Sequence, residues 1–302
     1  MSGAAPSPTG WLVEAPSQFE FAARAIAHVF IHKHTAFQEL YIVATHNLGK
    51  ALVLDGKWQS CVADEFIYHE ALVQPALMLH GAARRVLILG GAEGATAREA
   101  ARWPTVQDIT MVDIDREVVD ACRDFLPEMH RDVFADPRLH VVIEDASSFL
   151  DGGTTHWDII IMDLCDPVAD GPSLSLFTVE AFSRMAYRLA SRGIVAVQAG
   201  PITGAGFSTV VRTMRQVFPT VLPYSAHIPT YPGTWGFVVG SRDEYRLPAE
   251  REIGRKLRAV ISDLRYLDAA ALKAMFALPR YVQRTLIDSD AISTKARPVT
   301  FF

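Results

Sequence analysis

The run Val86-Leu87-Ile88-Leu89-Gly90-Gly91-Ala92-Glu93-Gly94-Ala95 constrains the fold more than any other part of the chain. Four consecutive apolar residues predict a buried strand, the glycines a tight turn, and Thr96 to Trp103 a helix. Strand, glycine turn and helix together open a nucleotide-binding α/β unit. Glu93 sets this turn apart. Such a loop ordinarily presents a helix N-terminus to phosphate, and a carboxylate there repels phosphate. The loop is therefore expected to serve a cationic ligand. Its GGAEGA spacing also departs from G-x-G-x-x-G, which argues against a dinucleotide.

Strand and helix patterns alternate from here on. Further strands are expected at Asp108–Val112, Leu139–Ile143, Asp158–Met162 and Gly193–Ala199, with helices at Arg116–Phe125, Phe177–Ala190 and Phe207–Phe218. Later strands are expected at Thr220–Ser225 and Thr234–Gly240, and a helical tail over 246–302. This alternation predicts an α/β fold with a doubly wound parallel sheet. Residues 11–62 read instead as β-rich, with a hairpin turn at Asp55-Gly56. That region is too small to bury a core alone and should pack on, or lid, the larger unit. The expected division is a β-rich N-terminal domain over 1–75 and a catalytic domain over 76–302.

Between the two, Asp64 to His80 reads as a buried helix, capped by Asp64 and interrupted near Pro75. Its Tyr68-His69-Glu70 cluster fits a hydrogen-bonded helix face and a pocket wall equally well. His32 and His34 flank Lys33, with His46 nearby, but no carboxylate or cysteine sits at ligand spacing. They are read as surface or strand histidines, and no metal is expected.

The formal net charge of -5 argues against nucleic acid or an anionic membrane as partner. Three cysteines without close spacing suggest neither a disulfide framework nor a zinc site. Met1 to Gly10 is expected to be loose and lacks signal-peptide features, and no apolar run reaches membrane-span length. A cytoplasmic setting is expected.

Ligands of open α/β sheets sit outside the carboxyl ends of the strands. Acids follow four consecutive strands here: Glu93, then Asp113, then Asp145, then Asp163 with Asp166. Their mutual repulsion would be costly unless a cation or hydrogen-bond donors occupied the rim. Asp113 lies about twenty residues past the glycine loop, where an acid accepts from ribose hydroxyls. Asp145 could accept from an adenine amino group or cap the next helix. Glu93 would repel the carboxylate of S-adenosylmethionine but welcome a nucleoside sulfonium lacking it, or an amine. An amine arrives protonated and must lose a proton to attack carbon. Asp163 could hold the ammonium and accept that proton, and Asp166 could hold a second ammonium.

Several ordered motifs resemble the polyamine aminopropyltransferases, the spermidine synthase family. They are DEFIYHE (64–70), LGGAEGATARE, Asp113-Ile114-Asp115, Asp145 and DLCDPVADGP (163–172). The resemblance runs from about Thr35 to Gly240. It implies a small N-terminal β domain before a Rossmann-like domain of the class I methyltransferase type. It also implies transfer of an aminopropyl group from decarboxylated S-adenosylmethionine, a co-substrate, to a polyamine, with no permanently bound cofactor and a homodimeric or homotetrameric assembly. By position, Gln38, Gly90, Gly91, Glu93, Asp113, Asp145, Ala146 and Pro172 would contact the nucleoside co-substrate. His69, Glu93, Asp163, Asp166 and Tyr231 would contact the polyamine, with Asp163 accepting the proton.

Four departures look like the thermospermine synthase branch: glutamate rather than aspartate at 93, a longer DLxDPVxxGP segment, QAGP at 198–201 and TWGF at 234–237. They imply spermidine as acceptor, with putrescine the alternative. An S-adenosylmethionine methyltransferase and a silent polyamine-binding protein are the rival readings.

Overall fold

The computed structural model describes residues 10–17, 20–169 and 171–301. Of the N-terminal stretch expected to be loose, only Gly10 falls among them, and it opens the first strand.

Five strands form an antiparallel sheet in chain order: β1 (Gly10–Ser17), β2 (Glu20–His34), β3 (Glu39–Thr45), β4 (Lys50–Leu54) and β5 (Lys57–Cys61). Asp55 and Gly56 join β4 to β5 with φ of 49° and 73°, the left-handed pair that a two-residue hairpin turn demands.

Helix α1 (Glu65–His80) follows and is buried on nearly every side. Two local expectations fail here. The helix runs through Pro75 without interruption. Proline withholds the N–H that would bond the Ala71 carbonyl, but the Tyr224 hydroxyl donates to that carbonyl at 3.0 Å and replaces it. Asp64 does not cap the helix with its side chain. Its Oδ2 accepts from the Thr230 backbone N–H (2.7 Å) and hydroxyl (2.6 Å), tying the helix start to a distant loop.

Seven strands form the second sheet: β6 (Arg85–Gly90), β7 (Asp108–Asp113), β8 (Leu139–Ile143), β9 (Trp157–Asp163), β10 (Leu189–Pro201), β11 (Thr220–His227) and β12 (Thr234–Ser241). Their spatial order is β8-β7-β6-β9-β10-β12-β11. The first five are mutually parallel, and β12 pairs antiparallel to both its neighbours. This is the methyltransferase-like α/β architecture. The apolar run of β6 is continuous because both faces are covered. Val86 and Ile88 join one core, and Leu87 and Leu89 the other.

Helices α2 (Ala95–Ala101), α3 (Arg116–Phe125), α4 (Pro127–His130), α5 (Ala146–Gly152), α6 (Val179–Arg188) and α7 (Ala205–Arg215) connect these strands. The tail carries α8 (Glu250–Leu257), α9 (Ala269–Met275) and α10 (Arg280–Asp288). Glu70 of α1 anchors this tail by accepting backbone N–H bonds from Arg265, Tyr266 and Leu267. A division at residue 75 would cut α1, which packs against the second sheet. We propose the turn after Cys61 as the boundary.

Strand order reverses direction between β6 and β9, where Gly90 pairs with Asp163. Ligands of open α/β sheets bind at such a reversal. The glycine turn and the D-x-x-D segment, over seventy residues apart in sequence, are thereby placed side by side.

Candidate active site

A cavity with about 850 Å³ of empty space, part of it open to solvent, lies over the carboxyl ends of β6, β7 and β9. The β6–α2 turn contributes Gly90, Gly91 and Glu93 to its wall, and β7 contributes Asp113. Asp145, Ala146, Asp163 and Pro172 complete the large-domain side. Gln38, Leu52, Leu54 and Gln59 close it from the N-terminal sheet, so that sheet is one wall of the site. Gly90 is obligatory at this junction. Its φ is +83°, and a Cβ there would stand 2.1 Å from the Asp163 carbonyl oxygen.

Asp163 lies at the end of β9, held from both sides. The Tyr68 hydroxyl donates to Oδ1 at 2.9 Å and the Thr96 hydroxyl to Oδ2 at 2.6 Å. Burial, reinforced by the Glu93 charge, pushes its carboxyl above the usual aspartate range. Burial pushes the Tyr68 phenol well up as well, so Tyr68 remains a donor at neutral pH. The sequence marks Tyr68 only as part of a polar cluster that fits a helix face and a pocket wall equally well, and it carries no signal for Thr96.

His69 sits behind Glu93 rather than on the wall of either cavity. It is fully buried, with Nδ1 2.9 Å from Glu65 Oε2 and Nε2 3.3 Å from Glu93 Oε1. Burial opposes its charge, but the two carboxylates outweigh burial and raise its pKa to about 10. Glu93 responds in the opposite sense. Burial favours its neutral form, and the imidazolium overrides that and holds it below the usual range. The alternation of charge continues inward. Arg98 pairs with Glu65 (2.9 Å) and Glu99 (3.0 Å), and Arg102 with Glu99 (3.0 Å). Glu65 is held down to about 2 by His69 and Arg98 against the opposing effect of burial. Glu93 therefore faces the cavity as the outer end of a buried ion ladder.

Asp113 and Asp115 divide the work at the start of α3. Asp115 caps the helix, accepting from the N–H groups of Glu117 and Val118. Its other oxygen accepts from the Thr35 hydroxyl (2.5 Å) and Gln38 Nε2 (3.2 Å), which docks the N-terminal sheet. The Asp113 carboxylate accepts only the Asp115 N–H among the described residues, through Oδ1 (2.9 Å). Burial, with the neighbouring carboxylates, raises its pKa to about 7. Asp145 does cap its helix, with Oδ2 accepting from the Ser148 N–H and hydroxyl.

A second cavity, with about 420 Å³ of empty space that is partly open to solvent, continues beyond Asp163. Gln59, Tyr68, Leu164 and Tyr231 line both cavities. Asp166, Glu14, Lys57 and Trp235 line the second alone. Gln198 donates to Asp166 Oδ1 at 3.0 Å and accepts from Trp235 Nε1 at 3.1 Å. The QAGP and TWGF segments thus meet at Asp166. Burial raises Asp166 to about 6 against the pull of Lys57.

Over residues 65–248 the chain matches the Spermine/spermidine synthase domain. It is 44% identical over 301 residues to a polyamine aminopropyltransferase of Synechococcus sp. (strain JA-3-3Ab), covering 95% of this chain and 96% of that one. It is 37% identical over 277 residues to the thermospermine synthase ACAULIS5 of Arabidopsis thaliana, covering 89% and 80% of the two chains. A crystal structure of spermidine synthase in complex with the transition state analogue AdoDATO superposes with a TM-score of 0.87 at 27% identity, covering 95% of this chain and 98% of that chain. The spermidine synthase from Thermotoga maritima gives 0.83 at 26% identity, covering 95% and 97%. The chain belongs to the spermine/spermidine synthase family of polyamine aminopropyltransferases.

Proposed function

We propose that the protein transfers the aminopropyl group of decarboxylated S-adenosylmethionine to spermidine, forming thermospermine and methylthioadenosine. The observation that carries the choice of acceptor is the second cavity. Its carboxylates, Asp166 and Glu14, lie beyond the reacting acid Asp163. A diamine has one ammonium to hold away from the reacting nitrogen, whereas a triamine has two.

In this reading the nucleoside occupies the first cavity. Asp113 accepts from the ribose hydroxyls, and Asp145, Ala146 and Pro172 surround the adenine. Gln38 and the Gly90-Gly91 backbone complete the contacts. The sulfonium and the transferred carbons lie toward Glu93 and Asp163. The amine enters past Tyr231, with Asp166 holding a distal ammonium.

Asp163 accepts the proton of the attacking ammonium. The freed nitrogen lone pair forms a bond to the aminopropyl carbon as the bond from that carbon to sulfur breaks. The departing electron pair neutralises the sulfonium. The raised pKa of Asp163 suits it to this task, because a more basic carboxylate takes a proton more readily. The arriving sulfonium and ammonium favour its ionised form. His69 does not touch the substrate. It keeps Glu93 ionised beside the sulfonium, where Glu93 and Asp163 disfavour the carboxylate of intact S-adenosylmethionine.

Chromatography of products tests the acceptor. Incubation with decarboxylated S-adenosylmethionine and spermidine should yield thermospermine, in step with methylthioadenosine. Turnover with putrescine and none with spermidine would replace this reading with that of a spermidine synthase, the activity named for the two solved structures.

A further inference from the structure

We propose that His32, His34 and Glu39 form a binding site for a late first-row divalent metal ion of the nickel or zinc class. The site lies on the exposed face of the N-terminal sheet, and none of its three residues lines either cavity. Side chains two apart on a strand project from the same face, so His32 and His34 of β2 stand together. Glu39 stands five residues after His34 in the sequence. Strand pairing folds it back beside the histidines, because His34 is the register partner of Glu39 on β3, and His32 that of Tyr41.

The donor atoms converge. Glu39 Oε1 lies 2.9 Å from His32 Nε2 and 3.6 Å from His34 Nε2. One donor atom from each of the three residues lies within 4.8 Å of the others. Donors on a tetrahedral ion with bonds of 2.0–2.2 Å stand about 3.3–3.6 Å apart, so small side-chain rotations admit an ion. Two imidazoles and a carboxylate favour nickel, copper or zinc over magnesium or calcium, which prefer all-oxygen sites.

Outer contacts orient the donors, as they do around established metal ligands. The Tyr41 ring stacks on His32 at 3.9 Å between centroids, nearly parallel. The Tyr41 hydroxyl donates to Glu39 Oε1 at 2.9 Å. The intervening Lys33 is bonded to Glu117 of α3 at 2.6 Å, fixing the strand from the large domain. His34 is three-quarters exposed (side chain 76%), so an ion can enter from solvent and complete its coordination with water.

Isothermal titration of the full chain with nickel chloride tests the site. Nickel suits imidazole and is a poorer probe of the free thiols than zinc. The expected result is one nickel ion per chain, undiminished by excess magnesium. The double variant His32→Ala/His34→Ala should lose this binding. Glu39→Gln removes the charged ligand and should weaken it by more than the about 10- to 100-fold that loss of a merely supporting residue costs. None of these residues lines the cavities, so aminopropyl transfer by the variants reports that the fold is intact. Absence of one-to-one binding in the parent chain would overturn the proposal. So would nickel bound with unchanged affinity by the double variant.

Discussion

Asp163→Asn isolates the proton-accepting role from the shape of the site. The amide has nearly the size of the carboxylate, and its oxygen can still accept from Tyr68, now 2.9 Å from Oδ1. The Thr96 hydroxyl, now donating to Oδ2 at 2.6 Å, can rotate and accept from the new amide N–H. One negative charge near Glu93 is removed, which relieves repulsion rather than creating it. The folded state should therefore lose little, and the thermal midpoint should not fall. The amide cannot take a proton from the attacking ammonium. General-base contributions of about 10²–10⁴-fold place the expected loss in kcat at about 2.7–5.4 kcal/mol of barrier. A charged hydrogen bond to the amine is lost too, about 1.5–3 kcal/mol, which should raise KM for the amine. Methylthioadenosine release, measured over a range of amine concentrations with the nucleoside saturating, separates the two effects. A kcat within about threefold of the parent at neutral pH would refute the role given to Asp163, since even the weakest general base contributes far more.

Other consequences are equally direct. Asp113 has a pKa raised to about 7, so the free site loses the carboxylate proposed to accept from the ribose as pH falls through that value. Affinity for methylthioadenosine, followed by calorimetry from pH 8.5 downward, should fall by about tenfold per pH unit below about 7; a flat profile would contradict the assignment. The sign is opposite for the unliganded fold, because a raised native pKa favours folding at low pH and this contribution is lost as pH rises through about 7. Gly90→Ala should destabilise the protein by more than the about 1–2 kcal/mol of left-handed strain, since its Cβ would strike the Asp163 carbonyl; an unchanged denaturant midpoint would show that no such contact exists. Tyr224→Phe removes the donor that serves the Ala71 carbonyl beneath Pro75. It should cost about 1–3 kcal/mol of stability by the same measurement, and no cost would mean that the carbonyl finds another partner.

The sequence alone determined the α/β fold and most of the acidic rim. Parallel strands in one sheet all run the same way, so residues after each strand collect at one edge. Reading Gly90 to Glu93, Asp113, Asp145 and Asp163 as neighbours needed only strand ends, a local and periodic property. Only the tertiary structure decided how each acid is used. Asp64 serves Thr230, Asp115 serves α3 and Gln38, and Asp145 caps α5. Asp163 is gripped by Tyr68 and Thr96, and Glu93 is matched with the buried cation His69. The continuity of α1 past Pro75 belongs to the same class. The physical reason is that strand and turn preferences act over a few residues. Counter-ions and hydrogen-bond partners are chosen by packing and strand register, which bring together residues that no spacing in the chain connects.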